Sequence, residues 1–305
     1  MNTIIIYIKQ FVKEQDARIF AAISFFISIC IFFNYYFHLD DGIRKNNLLI
    51  KLCLWLVVFA VAFVIPYLII SYFKPSNLLR HTVFIFLLFI APLIFALKLT
   101  LDFNIRFSSD YNLNNYWQHV IYWPGLLLIT LFIVYLIWLR LDKGRQPFYG
   151  FSSKGINWKP YWLLLLLMIP LIALASTQAD FLAVYPKMQA VTGAQYEIGF
   201  SWWQKILFEI SYGIDFINIE FFFRGFLVLA FLKWAGKDCI LPMACFYCAI
   251  HFGKPLGECI SSYFGGIILG VIVYHTRSIY GGLMVHLGIA WLMELGGFIG
   301  NTFIK

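Results

Sequence analysis

The chain has 305 residues, of which 62% are hydrophobic and only 12% are charged, and its mean hydropathy is +0.80. A soluble domain carries about 25% charged residues, so this composition excludes a soluble globular protein, a disordered chain and a small disulfide-stabilised scaffold. The apolar runs are continuous rather than alternating, which argues against a transmembrane barrel. We therefore predict an all-α fold, a polytopic bundle of transmembrane helices.

The formal net charge of +8 comes from basic residues that lie mainly in the loops between apolar runs. This placement is typical of proteins that orient in a membrane and contact anionic lipids. No nucleic-acid-binding signature accompanies the charge. We therefore predict the lipid bilayer as a partner and exclude nucleic acid.

A helix that crosses a bilayer needs about 20 mostly apolar residues. In chain order, candidate segments lie at 18–37, 50–73, 81–99, 119–139, 160–177, 217–234, 239–252, 259–275 and 280–299. The segment 239–252 is short for a crossing, and we interpret it as a buried helix that relies on its neighbours, which leaves about eight spans. The mixed segment 200–216 opens with Trp202 and Trp203 and is interpreted as an interfacial amphipathic helix.

The distribution of Lys and Arg predicts the orientation of the chain. Loops 74–80 and 140–159 are basic and are expected on one side of the membrane, together with the basic N-terminal stretch. That stretch lacks the basic start and the cleavage site of a signal peptide. By the positive-inside rule, we predict an integral protein of the inner or plasma membrane with its N-terminus in the cytoplasm. The side of the C-terminus stays open, because 239–252 need not cross.

Two parts of the chain differ in how they use charge. Residues 1–180 form apolar spans with charges confined to loops, and we predict them as a unit of N-terminal transmembrane helices. Residues 200–300 place charged groups and histidines inside apolar helices. A charge at membrane depth costs about 2.5–3.5 kcal/mol on insertion scales, so this C-terminal part is the candidate functional core.

Four polar residues stand out in this core: Glu220, Arg224, His251 and His286. Glu220 and Arg224 are four residues apart, so they share a helix face and are able to pair. The residues alone leave open a structural ion pair, a carboxylate that activates water beside an imidazole or guanidinium, and a divalent metal site. In the last case the ligands would be His251, His286 and Glu220, with zinc as the candidate cofactor.

The six cysteines lie in or beside apolar segments. Cys245 and Cys248 form a CxxC motif inside an apolar helix, and we interpret both as small buried residues. His251 follows three residues after Cys248, so a metal site built on this pair is the alternative interpretation.

The order and spacing of the polar groups resemble the CPBP family, which comprises the CAAX-protease and bacteriocin-processing intramembrane proteases and is also called the Abi group. The family pattern is EExxxR, then a helix that ends in FxxxH, then HxxxN or HxxxD on a later helix. Roughly the last hundred residues match it, in order, with Glu220, Arg224, His251, the glycine-rich Phe264–Gly270 and His286. The resemblance implies an intramembrane endopeptidase that cleaves a membrane-embedded or lipid-anchored peptide or protein with an activated water. It also implies that Glu220, Arg224, His251 and His286 are the catalytic residues.

Three positions depart from the family pattern. The first Glu of EExxxR is Ile219, the usual Phe of FxxxH is Tyr247, and the Asn or Asp four residues after the last His is Ala290. Family members are proposed to use that first Glu in water activation, so another carboxylate is a candidate substitute. The acids considered for this role are Glu294, Glu258 and Asp215.

These residues support three functions. The first is the CPBP-type intramembrane endopeptidase. The second is a non-catalytic relative that keeps the fold and acts as a membrane scaffold, regulator or bacteriocin-immunity factor, which the loss of the first Glu favours. The third is a transporter, because buried charges also line ion pathways, but no inverted repeat is visible. Convergence of Glu220, His251 and His286 on one cavity would favour catalysis.

Overall fold

A computed structural model of the protein describes residues 2–75, 77–101, 105–153, 156–192 and 200–303, and within these ranges the chain forms helices and no strand. The predicted all-α fold is therefore confirmed. In chain order the α-helices are α1 (Asn2–Glu14), α2 (Ala17–Phe37), α3 (Leu39–Arg44), α4 (Leu48–Phe73), α5 (Thr82–Thr100), α6 (Tyr111–Leu141), α7 (Lys159–Ala175), α8 (Ala179–Val184), α9 (Lys187–Thr192), α10 (Trp202–Glu220), α11 (Leu232–Ala235), α12 (Ile240–Ala249), α13 (Leu256–Thr276) and α14 (Tyr280–Phe303).

Among the described residues, six helices are long and apolar enough to cross a membrane, namely α2, α4, α5, α6, α13 and α14. The expected span at 160–177 is the shorter apolar helix α7. The expected span at 217–234 comprises the end of α10, a buried π-helix at Phe221–Ala230 and part of α11. The segment 239–252, which we did not count as a crossing, contains the ten-residue helix α12. α12 is buried along its whole length, as we predicted for this segment. The difference from about eight spans has two causes. α7 has 17 residues, fewer than the roughly 20 that a crossing needs. The π-helix is buried along its whole length, and its apolar composition serves packing against protein rather than lipid.

The segment 200–216, predicted as an interfacial amphipathic helix that leads into the next span, forms the first part of the continuous helix α10. α10 packs along the membrane-spanning α6. Tyr116 donates a hydrogen bond to the carbonyl oxygen of Gln204 across 2.9 Å, and Ser211 donates one to the carbonyl oxygen of Val120 across 2.7 Å. These two contacts pack one face of α10 on α6, while Trp202, Ile206 and Ile210 on another face are exposed. The interfacial position of 200–216 stays a prediction.

Ion pairs join several loops at one end of the bundle, which we call the basic end. They connect the C-terminal end of α1, the loop after α4 and the loop after α6 to the segment that precedes α12 and follows the π-helix at Phe221–Ala230. The pairs are Lys237–Glu14, Lys74–Asp238 and Lys233–Asp142. The basic loops and the N-terminal stretch therefore lie on one side of the bundle, as the sequence predicts.

The opposite end, which we call the far end, is held by two asparagines. Asn34 Nδ2 donates to the carbonyl oxygen of Phe252 across 2.9 Å, and Asn301 Nδ2 donates to the carbonyl oxygen of Tyr185 across 2.8 Å. Because α14 runs from the basic end to this end, the last described residues lie on the side opposite to α1.

The core that positions the functional segment is built from phenylalanine rings. Phe95 of α5 packs against Phe222 and Phe223, with ring centroids 5.3 and 5.2 Å apart. Phe246 of α12 packs against Phe223 at 5.2 Å and against Phe59 of α4 at 5.1 Å. Offset and edge-on aromatic pairs of this kind stabilise by about 0.5–1.5 kcal/mol beyond their buried area. They hold α12 and the segment after Glu220 against the long helices.

Glycines of α13 allow this helix to pack closely on α12. A Cβ at Gly266 would lie 3.3 Å from Ala244, and one at Gly270 would lie 2.6 Å from the methyl group of Met243. Small residues at these two positions are typical of closely packed membrane helices. A Cβ at Gly265, by contrast, would meet nothing within 4 Å.

Gly225 and Gly265 provide a matched pair of substitutions. A Cβ at Gly225 would lie 2.6 Å from the backbone carbonyl oxygen of Tyr149, so Gly225→Ala must shift backbone, and we expect a loss of about 1–3 kcal/mol in the free energy of unfolding. Gly265→Ala meets open space and is expected to be neutral or to stabilise by up to about 1 kcal/mol. Thermal unfolding of both variants in detergent would measure this, and equal midpoints would contradict the packing described here.

Candidate active site

The helical geometry of the chain changes at the centre of the candidate site. α10 ends at Glu220 and continues without a break into a π-helix, Phe221–Ala230. Stretches of π-helix within α-helices are frequent at functional sites. The junction directs Glu220 towards α14 and Arg224 towards α12, as the contacts below show.

Glu220 and Arg224 form an ion pair in the interior of the protein. Arg224 Nη1 lies 3.1 Å from Glu220 Oε1, and both side chains are 0% exposed. The guanidinium carbon of Arg224 also lies 3.9 Å from the centroid of the Tyr247 ring, in a cation–π contact that is strong when both groups are desolvated. A buried pair of this kind requires partners for each charge, since removing either partner leaves an uncompensated charge.

His286 is the second partner of Glu220. Its Nδ1 lies 2.8 Å from Glu220 Oε1, and its ring meets the ring of Phe216 edge-on with centroids 4.8 Å apart. Because a carboxylate only accepts hydrogen bonds, Nδ1 carries the proton and donates a hydrogen bond to Glu220. The structure therefore brings together Glu220, Arg224 and His286, three of the four residues selected from the sequence.

His251, the fourth residue, lies beside this group without a hydrogen bond to Glu220. Its Nδ1 donates to the backbone carbonyl oxygen of Tyr247 across 2.8 Å. The ring of Tyr247 contacts both imidazoles, with centroids 4.6 Å from His251 and 5.9 Å from His286. Tyr247, which the sequence shows only as a departure from the family pattern, is thus the residue around which the two histidines meet.

The candidate metal ligands do not form a metal-binding arrangement. Within the described ranges, no three His, Cys, Asp or Glu side chains converge to hold an ion. Both ring nitrogens of His286 have protein partners, Glu220 at 2.8 Å and the Tyr247 hydroxyl at 3.0 Å. Cys245 and Cys248 are buried free thiols, as predicted. A zinc ion therefore does not fit the side chains as they are arranged, and we derive no step from one.

The three acids considered as substitutes for the missing Glu have other partners. Asp215 Oδ1 lies 2.6 Å from Lys98 Nζ of α5. Glu258 pairs with Lys254 at 3.2 Å in the first turn of α13, where an acid favours the helix dipole. Glu294 Oε2 accepts from the backbone N–H of Lys187 across 2.7 Å. None of these contacts joins the Glu220–His286 pair.

The departures Ile219 and Ala290 are absorbed by apolar packing. Ile219 is half-buried against the main hydrophobic core, and Ala290 is buried in a cluster that contains Tyr116 and Phe208. Gly282 has a more direct role that its motif did not reveal. A Cβ there would lie 2.8 Å from Glu220 Oε2, an oxygen without a hydrogen-bond partner among the described residues. Gly282 thus leaves room beside the free oxygen of the buried carboxylate.

One family model matches the chain, and the match falls on the helices that carry this site. The model describes type II CAAX prenyl endopeptidase Rce1-like proteins and matches residues 201–292. This confirms the resemblance inferred from the motifs. No curated protein and no solved structure matches the chain.

The Glu220–Arg224 pair is expected to behave as one unit in stability measurements. Glu220→Ala leaves Arg224 buried without its counter-charge and should lower the free energy of unfolding by about 3–5 kcal/mol. The double variant Glu220→Leu, Arg224→Met removes both charges with similar volume and should recover most of that loss. Thermal unfolding in detergent provides the measurement. A double variant that is less stable than the single one would contradict the pairing.

Proposed function

Because residues 201–292 match the Rce1-like family, we propose that the protein is an intramembrane endopeptidase of the CAAX-protease type. The observation that carries this proposal is the hydrogen bond from His286 Nδ1 to the fully buried carboxylate of Glu220, at 2.8 Å. A carboxylate behind an imidazole holds the ring in one tautomer and stabilises the imidazolium that forms when the ring takes a proton. The pair therefore contains the two groups that a general base for water requires, an imidazole that takes the proton and a carboxylate that stabilises the resulting charge.

Arg224 contributes by keeping Glu220 in place and ionised. Its guanidinium neutralises the carboxylate at 3.1 Å while its flat face rests on the Tyr247 ring. Shielded from bulk solvent, such fixed charges act strongly and do not need to reorganise during the reaction. Arg224 is thus proposed as a positioning residue for the Glu220–His286 pair.

The proposed substrate is a peptide or protein that carries a lipid on a cysteine near its C-terminus. The matched family is named for prenyl endopeptidases of CAAX sequences, and the bilayer concentrates lipid-anchored chains around the helices that carry the site. Apolar side chains such as Phe216 flank His286, which suits a hydrophobic substrate. The non-catalytic alternative is favoured by Ile219, which occupies the position of the first family Glu.

We further propose that the basic end faces the cytoplasm, following the positive-inside rule. Lys143 lies exposed at the basic end and Lys45 lies exposed at the other end of the bundle. In intact cells, a membrane-impermeant maleimide should label Lys45→Cys but should label Lys143→Cys only after permeabilisation. The wild-type chain, with its six free cysteines, provides the background. The reverse labelling pattern would overturn the orientation.

Cleavage of a farnesylated, internally quenched peptide by the full-length protein in liposomes tests the activity. Glu220→Gln and His286→Asn each remove one member of the carboxylate–imidazole pair that is proposed as the general base, and each should lower kcat by about 100-fold or more. Glu14→Gln and His81→Asn make the same chemical changes outside the site, at a carboxylate paired with Lys237 and at an exposed imidazole, and should leave kcat unchanged. Equal cleavage by all four variants would reject the proposal, and absence of cleavage by the wild type would favour the non-catalytic relative.

A further inference from the structure

His286 has no free ring nitrogen with which to take a proton from water. Nδ1 donates to Glu220 Oε1 at 2.8 Å, and Nε2 lies 3.0 Å from the hydroxyl of Tyr247. In a neutral imidazole whose Nδ1 carries the proton, Nε2 is an acceptor. The Tyr247 hydroxyl is therefore the donor, and the three groups form a chain from carboxylate to imidazole to phenol.

Several contacts hold the Tyr247 ring in this position. The Arg224 guanidinium lies over one face of the ring at 3.9 Å, and the ring of Phe223 meets it edge-on at 5.2 Å. On the α13 side, Gly266 leaves room for the ring, since a Cβ there would lie 3.2 Å from Tyr247 Cδ1. Tyr247 is only 5% exposed. The hydroxyl is thus positioned by packing on all sides and not by its hydrogen bond alone.

We propose that Tyr247 is the proton-relay residue through which the Glu220–His286 pair acts on water, an inference that rests on the proposed endopeptidase function. The residue stands where the family pattern has Phe, so the hydroxyl is an addition in this chain. It lies in the same site in which Ile219 replaces a carboxylate.

The relay accounts for each proton and bond of the hydrolysis. The water oxygen forms a bond to the peptide carbonyl carbon, and the water proton passes to the Tyr247 oxygen while the Tyr247 proton passes to His286 Nε2. The carbonyl oxygen becomes an oxyanion, and the imidazolium is stabilised by Glu220. When the C–N bond breaks, the Nε2 proton returns to Tyr247 and the Tyr247 proton passes to the leaving nitrogen. The enzyme regains its starting state, and the products are a carboxylic acid and an amine.

Tyr247→Phe removes only the hydroxyl and keeps the ring, so it separates the relay from packing. In the same liposome assay we expect kcat to fall by about 100-fold or more, with KM and the thermal midpoint unchanged. The wild type should show a curved dependence of kcat on the deuterium content of water, because two protons move together, and the variant should show a linear one. Tyr263→Phe is the matched control, because Tyr263 is a similarly buried residue whose hydroxyl bonds Ser24 at 3.0 Å.

The outcomes separate the relay from the proposed function. If the wild type cleaves and Tyr247→Phe cleaves equally well or faster, the relay is overturned and the endopeptidase stands. If the wild type cleaves nothing, both are overturned.

Nitrogen NMR of histidine-labelled protein tests the relay without a substrate. The Nε2 resonance of His286, assigned with His286→Asn, should move in Tyr247→Phe and not in Tyr263→Phe, and an unmoved resonance would overturn the relay.

Discussion

The buried ion pair between Glu220 and Arg224 is the constraint on which the site depends. Two charges that are both 0% exposed carry a large desolvation penalty. Their mutual attraction offsets this penalty only when further contacts stabilise each charge. His286 supplies a hydrogen bond to the carboxylate, and Tyr247 supplies a ring face to the guanidinium. The helices α12 and α14 must therefore approach the junction of α10 and the π-helix, and the phenylalanine core and the glycines of α13 make that approach possible.

The same constraint gives the site its chemical character. Arg224 and His286 both contact Oε1 of Glu220, so this oxygen supports the imidazole, while Oε2 has no hydrogen-bond partner among the described residues. The polar groups then continue from His286 to the Tyr247 hydroxyl, 3.0 Å away, where the family pattern has only an aromatic ring. The positions of two other family groups, Ile219 and Ala290, are filled by apolar packing. The result is a site organised around an imidazole with partners on both sides.

Part of this arrangement was predictable because it is local. The composition predicts membrane helices, because so few charged residues cannot cover the surface of a soluble protein. The pairing of Glu220 with Arg224 follows from four-residue spacing on one helix, and the break between His251 and α13 follows from Gly253 and Pro255. The number of crossings was harder to predict. Hydropathy does not distinguish the π-helix Phe221–Ala230, which is buried in protein, from helices that face lipid.

The sequence by itself determined the class of protein, the helical fold and the residues that carry charge at membrane depth. Only the tertiary structure decided which of them touch. His286 meets Glu220 across 66 positions of the chain and Tyr247 across 39, and such contacts depend on how α10, α12 and α14 pack. The same packing placed His251 against the backbone of Tyr247 and gave Asp215, Glu258 and Glu294 other partners. No local spacing encodes these choices, because each depends on side chains brought together from distant helices.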